Sequence, residues 1–300
     1  MKIVACGMSG LIGSAILEKL SPAHEIVVLR RGTSRPFRST AVRSVMWEPP
    51  KIGDWVREID GAQAVINLSG ESIAGKRWTT TQKKELRESR LGATKALVDA
   101  MVLAKTKPAV FLSASAIGFY GPRNEEVLSE ASPSGAGFLA GLCREWEGEA
   151  LRASELGIRT VLLRTGIVLA KNGGALSKMV PPFKLFIGGA LGSGRQVMSW
   201  IHLEDEVGGI LKCLEDDRIK GPVNLTAPNA VNMSEFARSL GRVLKRPSLL
   251  PVPGFALKLL LGEMSELLLT GQNVAPKALL SAGYTFKHPK LEPALVSLLS

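Results

Sequence analysis

Seven short apolar runs recur along the chain, at residues 2–6, 25–29, 44–47, 64–68, 109–113, 159–164 and 223–226. Stretches with apolar residues at three- and four-residue spacing separate or follow them. These predict helices over 11–20, 55–59, 80–104, 139–156, 204–214, 233–244 and 291–299. Unbroken apolar strands alternating with helices describe an α/β chain whose parallel sheet is covered on both faces.

Ligands of such doubly wound sheets bind outside the carboxyl ends of the strands. In this sequence that edge collects the polar and glycine-rich stops to the apolar runs. They are Gly7, Gly10 and Gly13, then Arg30 and Arg31, then Asn67-Leu68-Ser69-Gly70, then Ser113-Ala114-Ser115, and last Arg164-Thr165-Gly166. The three glycines follow the first strand at three-residue spacing and open the first helix. Glycine there lets backbone approach a pyrophosphate, and the helix start offers unpaired N–H groups to it. The spacing GxxGxxG differs from the dehydrogenase GxGxxG and points to a short-chain dehydrogenase/reductase type of Rossmann domain.

The end of the second run names the cofactor. An NAD-selective fold places an acid about 20 residues after the glycine turn to hold the ribose hydroxyls. Arg30 and Arg31 stand there instead, and no acid lies between Leu29 and Val45. Guanidinium groups pair a 2′-phosphate, so the expected cofactor is NADP. Arg35, Arg38 and Arg43 follow, so a solvated basic loop is the competing reading.

From about Gly166 to Trp200 the periodicity breaks up among glycines and prolines, which suggests a loop-rich lobe over the nicotinamide end. Residues 249–300 read as a small helical and loop extension. The expected division is a Rossmann domain of 1–165 and 201–227, interleaved with a substrate-binding lobe of 166–200 and 228–300.

Composition changes this picture little. The net charge is +11, but the cations are dispersed, aromatic residues make up 5%, and no nucleic-acid motif is present. An attraction for phosphorylated ligands follows, without a nucleic-acid partner. Three distant cysteines offer neither disulfide framework nor metal spacing, which suits a reducing cytoplasm, and no metal is expected. The apolar region 255–269 is interrupted by Lys258, Glu263 and Glu266, so no membrane span is expected there.

The glycine turn, Asn67-Leu68-Ser69-Gly70-Glu71, Ser89-Arg90, the block from Ser113 to Gly121 and Trp200-Ile201-His202-Leu203-Glu204-Asp205 together resemble extended, atypical short-chain dehydrogenases/reductases. More narrowly the chain resembles the "epimerase family" reductases that carry a C-terminal segment of unknown function. Some of these are labelled as cell-division inhibitor or nucleotide-sugar epimerase homologues. The resemblance implies an NAD(P)-binding Rossmann fold with a smaller C-terminal substrate lobe. By position, Gly7, Ser9, Gly10, Leu11, Ile12 and Gly13 would surround the pyrophosphate, and Arg30 and Arg31 the adenosine 2′-phosphate. Leu68, Ser69, Gly70, Glu85, Arg90, Ser113, Arg164 and Val168 would lie along the cofactor. Arg195, Trp200 and His202 would belong to the substrate lobe.

One departure from the superfamily stands out. Its usual Tyr-x-x-x-Lys pair sets two proton-handling side chains on one helix face. This chain has two tyrosines, Tyr120 and Tyr284, followed four residues on by Asn124 and His288. Phe138 and Leu142 occupy the places the pair would hold. Ser113, Ser115 and Tyr120 are the remaining catalytic candidates. The expected function is an NADP-binding oxidoreductase, or a nucleotide-sugar epimerase-like enzyme using a transient hydride transfer, acting on a small carbonyl or sugar-nucleotide-like substrate. The missing pair motivates an alternative, a non-catalytic NADP-dependent sensor or scaffold linked to cell division. The oligomeric state stays open, with a homodimer as the candidate assembly.

Overall fold

Every one of the seven apolar runs becomes a strand of one sheet in the computed structural model, which describes residues 1–21, 23–32, 41–123 and 125–299. The strands are β1 (Lys2–Cys6), β2 (Glu25–Arg30), β3 (Val42–Met46), β4 (Ala64–Asn67), β5 (Val110–Ala116), β6 (Arg159–Thr165) and β7 (Gly221–Leu225). Their order is β7-β6-β5-β4-β1-β2-β3, and each neighbouring pair is parallel. The chain moves outward from β1 through β3, then crosses back to place β4 on the other side of β1. That reversal opens the crevice where ligands of this architecture sit.

Alternate residues of the inner strands feed two cores. Ile3, Ile26, Ile66, Leu112 and Leu163 pack with Ile16 of α1 (Leu11–Leu20) and, from a later helix, Ile210. Val4, Val27, Val65, Phe111 and Leu162 pack with Ala93, Leu97 and Met101 of α2 (Thr80–Leu103) and Ala150 of α3 (Phe138–Leu151). Both sheet faces are therefore dry, which is why the strands read as continuous rather than alternating apolar runs. Thr79 begins α2 by accepting the Gln82 N–H at 3.1 Å, a side-chain cap for the longest helix.

The stretch expected to be loop-rich holds more order than its composition suggests. Gly174–Lys184 forms α4, with Pro181 and Pro182 inside it. Leu176, Val180 and Phe183 line its buried stripe. Ile167–Leu169 pairs in parallel with Trp200–His202, and the second of these strands leads into α5 (Leu203–Glu215). A third core joins α4, Trp200, Phe236 and Leu240 of α6 (Met233–Leu244), and Leu295 of the C-terminal helix Leu291–Leu299.

The last fifty residues divide among all parts. After α7 (Gly254–Leu261), Met264 and Leu267 pack beside Trp78 and Leu86. Leu279 and Phe286 enter the α1-side core. Among the described residues no helix is long and apolar enough to cross a membrane.

Candidate functional site

The three glycines have three different reasons to be glycine. Gly7 has φ +78, and a Cβ there would lie 2.4 Å from the carbonyl of Leu68. The first turn and the loop after β4 touch through backbone at this point. At Gly13 a Cβ would meet Gly7 O at 2.4 Å, so α1 rests directly on the turn. Gly10 is different. Its φ of −77 suits any residue, and its nearest neighbour would be Gly7 O at 3.4 Å. It is exposed and begins α1 with no side-chain cap and no acid in the first turn. The protein's own packing does not require glycine at this position. The open helix end beside it offers N–H groups and a positive dipole to an anion.

Around this turn the other edge residues gather. Ser9 is exposed, Leu11 and Ile12 are half-buried, and Ile12 shares the α1-side core with Leu68 and Val168. The start of α4 closes over the same place, since a Cβ on Gly174 would stand 3.2 Å from Leu11 Cδ2 and 3.1 Å from Val168 O. Arg30 ends β2 half-buried, and Arg31 beyond it is exposed. Arg43 lies on β3 and pairs with Glu58, while Arg35, Arg38 and Asn124 fall outside the described residues.

The loop after β4 is held from behind. Asn67 is fully buried. Its Oδ1 accepts the Ser69 N–H at 3.1 Å, and its Nδ2 donates to Thr94 Oγ1 at 2.9 Å. Arg90 donates to Glu71 O at 2.9 Å and to Leu86 O at 3.0 Å, and its guanidinium packs 5.3 Å from the Trp146 ring. A Cβ on Gly70 would come within 3.2 Å of that guanidinium. Arg90 thus buttresses the Ser69–Gly70 loop rather than reaching out from it. Glu85 is exposed and pairs with Lys76 at 3.5 Å.

The structure brings three of the expected site residues into one buried network. Ser115 Oγ donates to Glu147 Oε1 at 2.6 Å. Arg164 donates to both oxygens of Glu147 at 2.8 Å, and to Tyr120 Oη at 2.9 Å. Tyr120 in turn donates to Asn224 Oδ1 at 2.7 Å. The Arg164 guanidinium also stacks 3.5 Å from the Phe119 ring centroid. Arg164, expected along the cofactor, spends its donors inside the protein. Tyr120 is wholly buried, and burial pushes its phenol up from the ordinary value. Sequence reasoning missed Glu147, the hub of this network. It falls on the buried stripe of α3 with Cys143, Trp146 and Ala150, and an acid on an apolar stripe signals a buried partner. Ser113, two residues before Ser115, is also fully buried, and its hydroxyl has no partner among the described residues.

Of the lobe residues, Trp200 and His202 make hydrogen bonds within the protein. Trp200 is fully buried and donates to Asn229 O at 3.0 Å. Arg195 is exposed on the glycine turn that meets the start of α6, where Ser234 N–H bonds Gly194 O at 2.9 Å. His202 caps α5, its Nδ1 accepting the Glu204 N–H at 3.0 Å, and its ring stacks on His288 at 3.7 Å. Burial and the His288 charge push its pKa down to about 4. His202, Glu204 and His288 could in principle ligate an ion. Nδ1 of His202 is already an acceptor, which leaves the proton on Nε2 facing Ser297 Oγ at 3.4 Å. An ion would have to displace one of these bonds. Asp205 accepts the N–H groups of Lys287 and His288, both at 2.8 Å, so this cluster clamps the C-terminal segment to α5.

A seven-stranded parallel sheet in this order, with a glycine turn at its switch point, defines an NAD(P)-binding Rossmann-like fold of the extended short-chain dehydrogenase/reductase kind. Comparison with known proteins narrows the class. Residues 3–226 match the model of the NAD dependent epimerase/dehydratase family, and residues 252–298 match a domain of unknown function, DUF1731. The chain is 42% identical over 302 residues to the Arabidopsis thaliana epimerase family protein SDR39U1 homolog, chloroplastic, covering 98% of this chain and 86% of the relative. It is 40% identical to the Mycobacterium leprae epimerase family protein ML0860, covering 98% and 94%. The crystal structure of human epimerase family protein SDR39U1 with NADPH superimposes with a TM-score of 0.89 at 30% identity, covering 99% of each chain. The chain belongs to the NAD dependent epimerase/dehydratase family.

Proposed function

We propose that this protein binds NADP(H) across the carboxyl edge of its sheet and is an NADP-dependent oxidoreductase for a small carbonyl or sugar-nucleotide-like substrate. The observation that carries the cofactor half is Gly10, a glycine the fold does not need, at an uncapped helix start. Gly7, Gly13, Leu11 and Ile12 shape that turn, and Ser9 stands exposed beside it. Arg30 and Arg31 receive the 2′-phosphate, a role supported by their place at the end of β2 and by the NADPH in the human relative's crystal structure. Leu68, Ser69, Gly70 and Val168 line the path toward the reacting ring. Arg90 positions the Ser69–Gly70 loop, and Arg164 positions Glu147. The lobe of residues 166–200 and 228–300 selects the substrate.

Bound NADPH would supply the hydride. The chain must hold the substrate and move a proton without Tyr-x-x-x-Lys. Ser115 suits this, because its hydroxyl proton points at Glu147 and its oxygen, which also meets the Cys143 thiol, keeps a lone pair to accept from a substrate hydroxyl. In the oxidation direction Ser115 takes the substrate's proton as it passes its own to the Glu147 carboxylate, and in reduction the carboxylate must first gain a proton from water before both transfers reverse. Arg164 keeps Glu147 in place for either direction.

The test is a fluorescence titration with NADPH and NADH on the wild type and on Arg30→Ala/Arg31→Ala. The wild type is expected to favour NADPH at least about tenfold, in keeping with a charge-assisted bond to phosphate of about 1.5–3 kcal/mol, and the double variant to lose that preference. Equal affinity for both dinucleotides in the wild type overturns the NADP reading. A panel of aldehydes, ketones and nucleotide sugars then addresses turnover. Ser115→Ala should abolish it with NADPH affinity unchanged.

A further inference from the structure

The lobe carries a surface that neither the fold nor the cofactor edge explains. The end of α4 closes with Phe186 N–H bonded to Phe183 O at 2.9 Å and Ile187 N–H bonded to Pro182 O at 3.0 Å. Phe186 has φ +64, in the left-handed region where such a closure ordinarily takes glycine. Here the sequence places an aromatic ring that is 58% exposed, flanked by the equally exposed Leu185 and Ile187. A strained backbone that turns a phenylalanine into water has no reason within the fold.

Residues 248–252 run alongside. Leu250 N–H bonds Gly188 O at 3.2 Å, Val252 N–H bonds Ala190 O at 2.9 Å, and Gly192 N–H bonds Val252 O at 2.9 Å. This pairing brings the exposed Leu249 next to the end of α4 and leads into α7. There Phe255 and Leu259 are exposed one turn apart, at 75% and 81%. Large apolar side chains thus cluster on one ribbon of chain.

The charge of that ribbon is one-signed. No Asp or Glu occurs from residue 156 to 203, or from 236 to 262. Lys184, Arg238, Lys245, Arg246 and Lys258 are all exposed in these stretches. Arg246 lies 4.6 Å from the Phe186 ring centroid. With Arg238, Arg242 and Lys245 it lines a 510 Å³ basin that reaches Leu249. Of these basin cations, Arg242 pairs with Glu292.

We propose that this ribbon docks the protein peripherally on an anionic membrane surface. The apolar side chains enter the headgroup layer while the lysines and arginines meet lipid phosphates. No helix among the described residues is long and apolar enough to cross a bilayer, and the attachment proposed is interfacial. The charge also argues against a second copy as the occupant, because an isologous contact would set these cations against one another.

The experiment is flotation of the full-length protein with vesicles of phosphatidylcholine alone, and of phosphatidylcholine mixed with phosphatidylglycerol. The protein is expected to float with the mixed vesicles only and to be released by added salt. Arg238→Gln and Arg246→Gln should each lower partitioning about fivefold. Phe186→Asn, which tolerates the left-handed backbone, and Leu249→Ser should each lower it further. Circular dichroism and thermal melting check that all four variants remain folded. Failure to float with anionic vesicles, or flotation of all four folded variants as well as the wild type, overturns the proposal. So does concentration-dependent self-association that Phe186→Asn abolishes without any vesicle binding, which would assign the face to a second copy.

Discussion

Arg164 and Thr165 are adjacent in β6 and point to opposite faces of the sheet, and the two faces treat a buried carboxyl in opposite ways. On the α3 side Glu147 meets Arg164 in a two-pronged ion pair, with Ser115 and Tyr120 completing its shell. On the α5 side Glu206 is equally buried, yet its one bond is from the Thr165 hydroxyl at 2.8 Å, and its other oxygen has no partner among the described residues. Burial pushes the Glu206 carboxyl up to about 8. One face stores a charge pair and the other a neutral acid. Residues that look functional at a sheet edge can therefore be held in place by charge on one side and by proton retention on the other.

Breaking the charge pair should have the largest effect. Arg164→Met leaves Glu147 buried without its guanidinium and should cost about 3–5 kcal/mol, read from denaturant unfolding. Replacing both partners, Arg164→Met with Glu147→Leu, should recover much of that loss, because no orphaned charge remains. If the double variant is as unstable as the single, the network holds the fold by shape rather than charge. NADPH affinity should survive in the double variant, which separates support of the site from contact with the cofactor.

This contrast also marks what was legible beforehand. The inner strands and the glycine turn could be read because both faces of those strands are buried, which leaves unbroken apolar runs, whereas the edge strand β3, with Arg43 and Met46 exposed, shows a shorter one. The helix α4 could not. Pro181 and Pro182 remove two backbone donors and advertise a loop, which masks the helical spacing of Leu176, Val180 and Phe183. Packing of that stripe into the lobe core overrides the local preference. Glu147 was hidden for a different reason. Its partner lies on another element, and pairing across elements leaves no periodic signal. The positions of Ser113, Ser115 and Arg164 could be read from the strand ends, but not the direction in which each hydroxyl or guanidinium would spend its hydrogen bonds.

The second way to sharpen the comparison is pH. Between about 4.5 and 8 folded Glu206 keeps a proton that the unfolded chain has released, so its contribution is lost as pH rises through that window. His202 acts in the opposite sense. With a folded value near 4 against an ordinary 6.5, it destabilises as pH falls from 6.5 toward 4. From pH 6.5 to 8 Glu206 acts without that opposition, and wild-type stability should fall by about 2 kcal/mol. Glu206→Gln keeps an acceptor for Thr165 and should flatten that decline in urea unfolding across the range. A variant that declines as steeply as the wild type would locate the titrating group elsewhere.

The smallest effect should come from Ser113, which lies on the α3 side of β5, level with Asn67. A hydroxyl buried without a partner gains nothing from the fold, and deleting it removes a desolvation cost. Ser113→Ala should therefore change stability by less than about 0.5 kcal/mol, or raise it, whereas Ser115→Ala takes a donor from Glu147 and should cost about 1–3 kcal/mol. The same pair separates two roles at the edge. If Ser113→Ala leaves NADPH affinity and turnover intact while Ser115→Ala abolishes turnover, proton handling belongs to the serine backed by a carboxylate. If Ser113→Ala lowers stability by more than 1 kcal/mol, its hydroxyl has a partner such as an ordered water, and the α3 side is satisfied throughout.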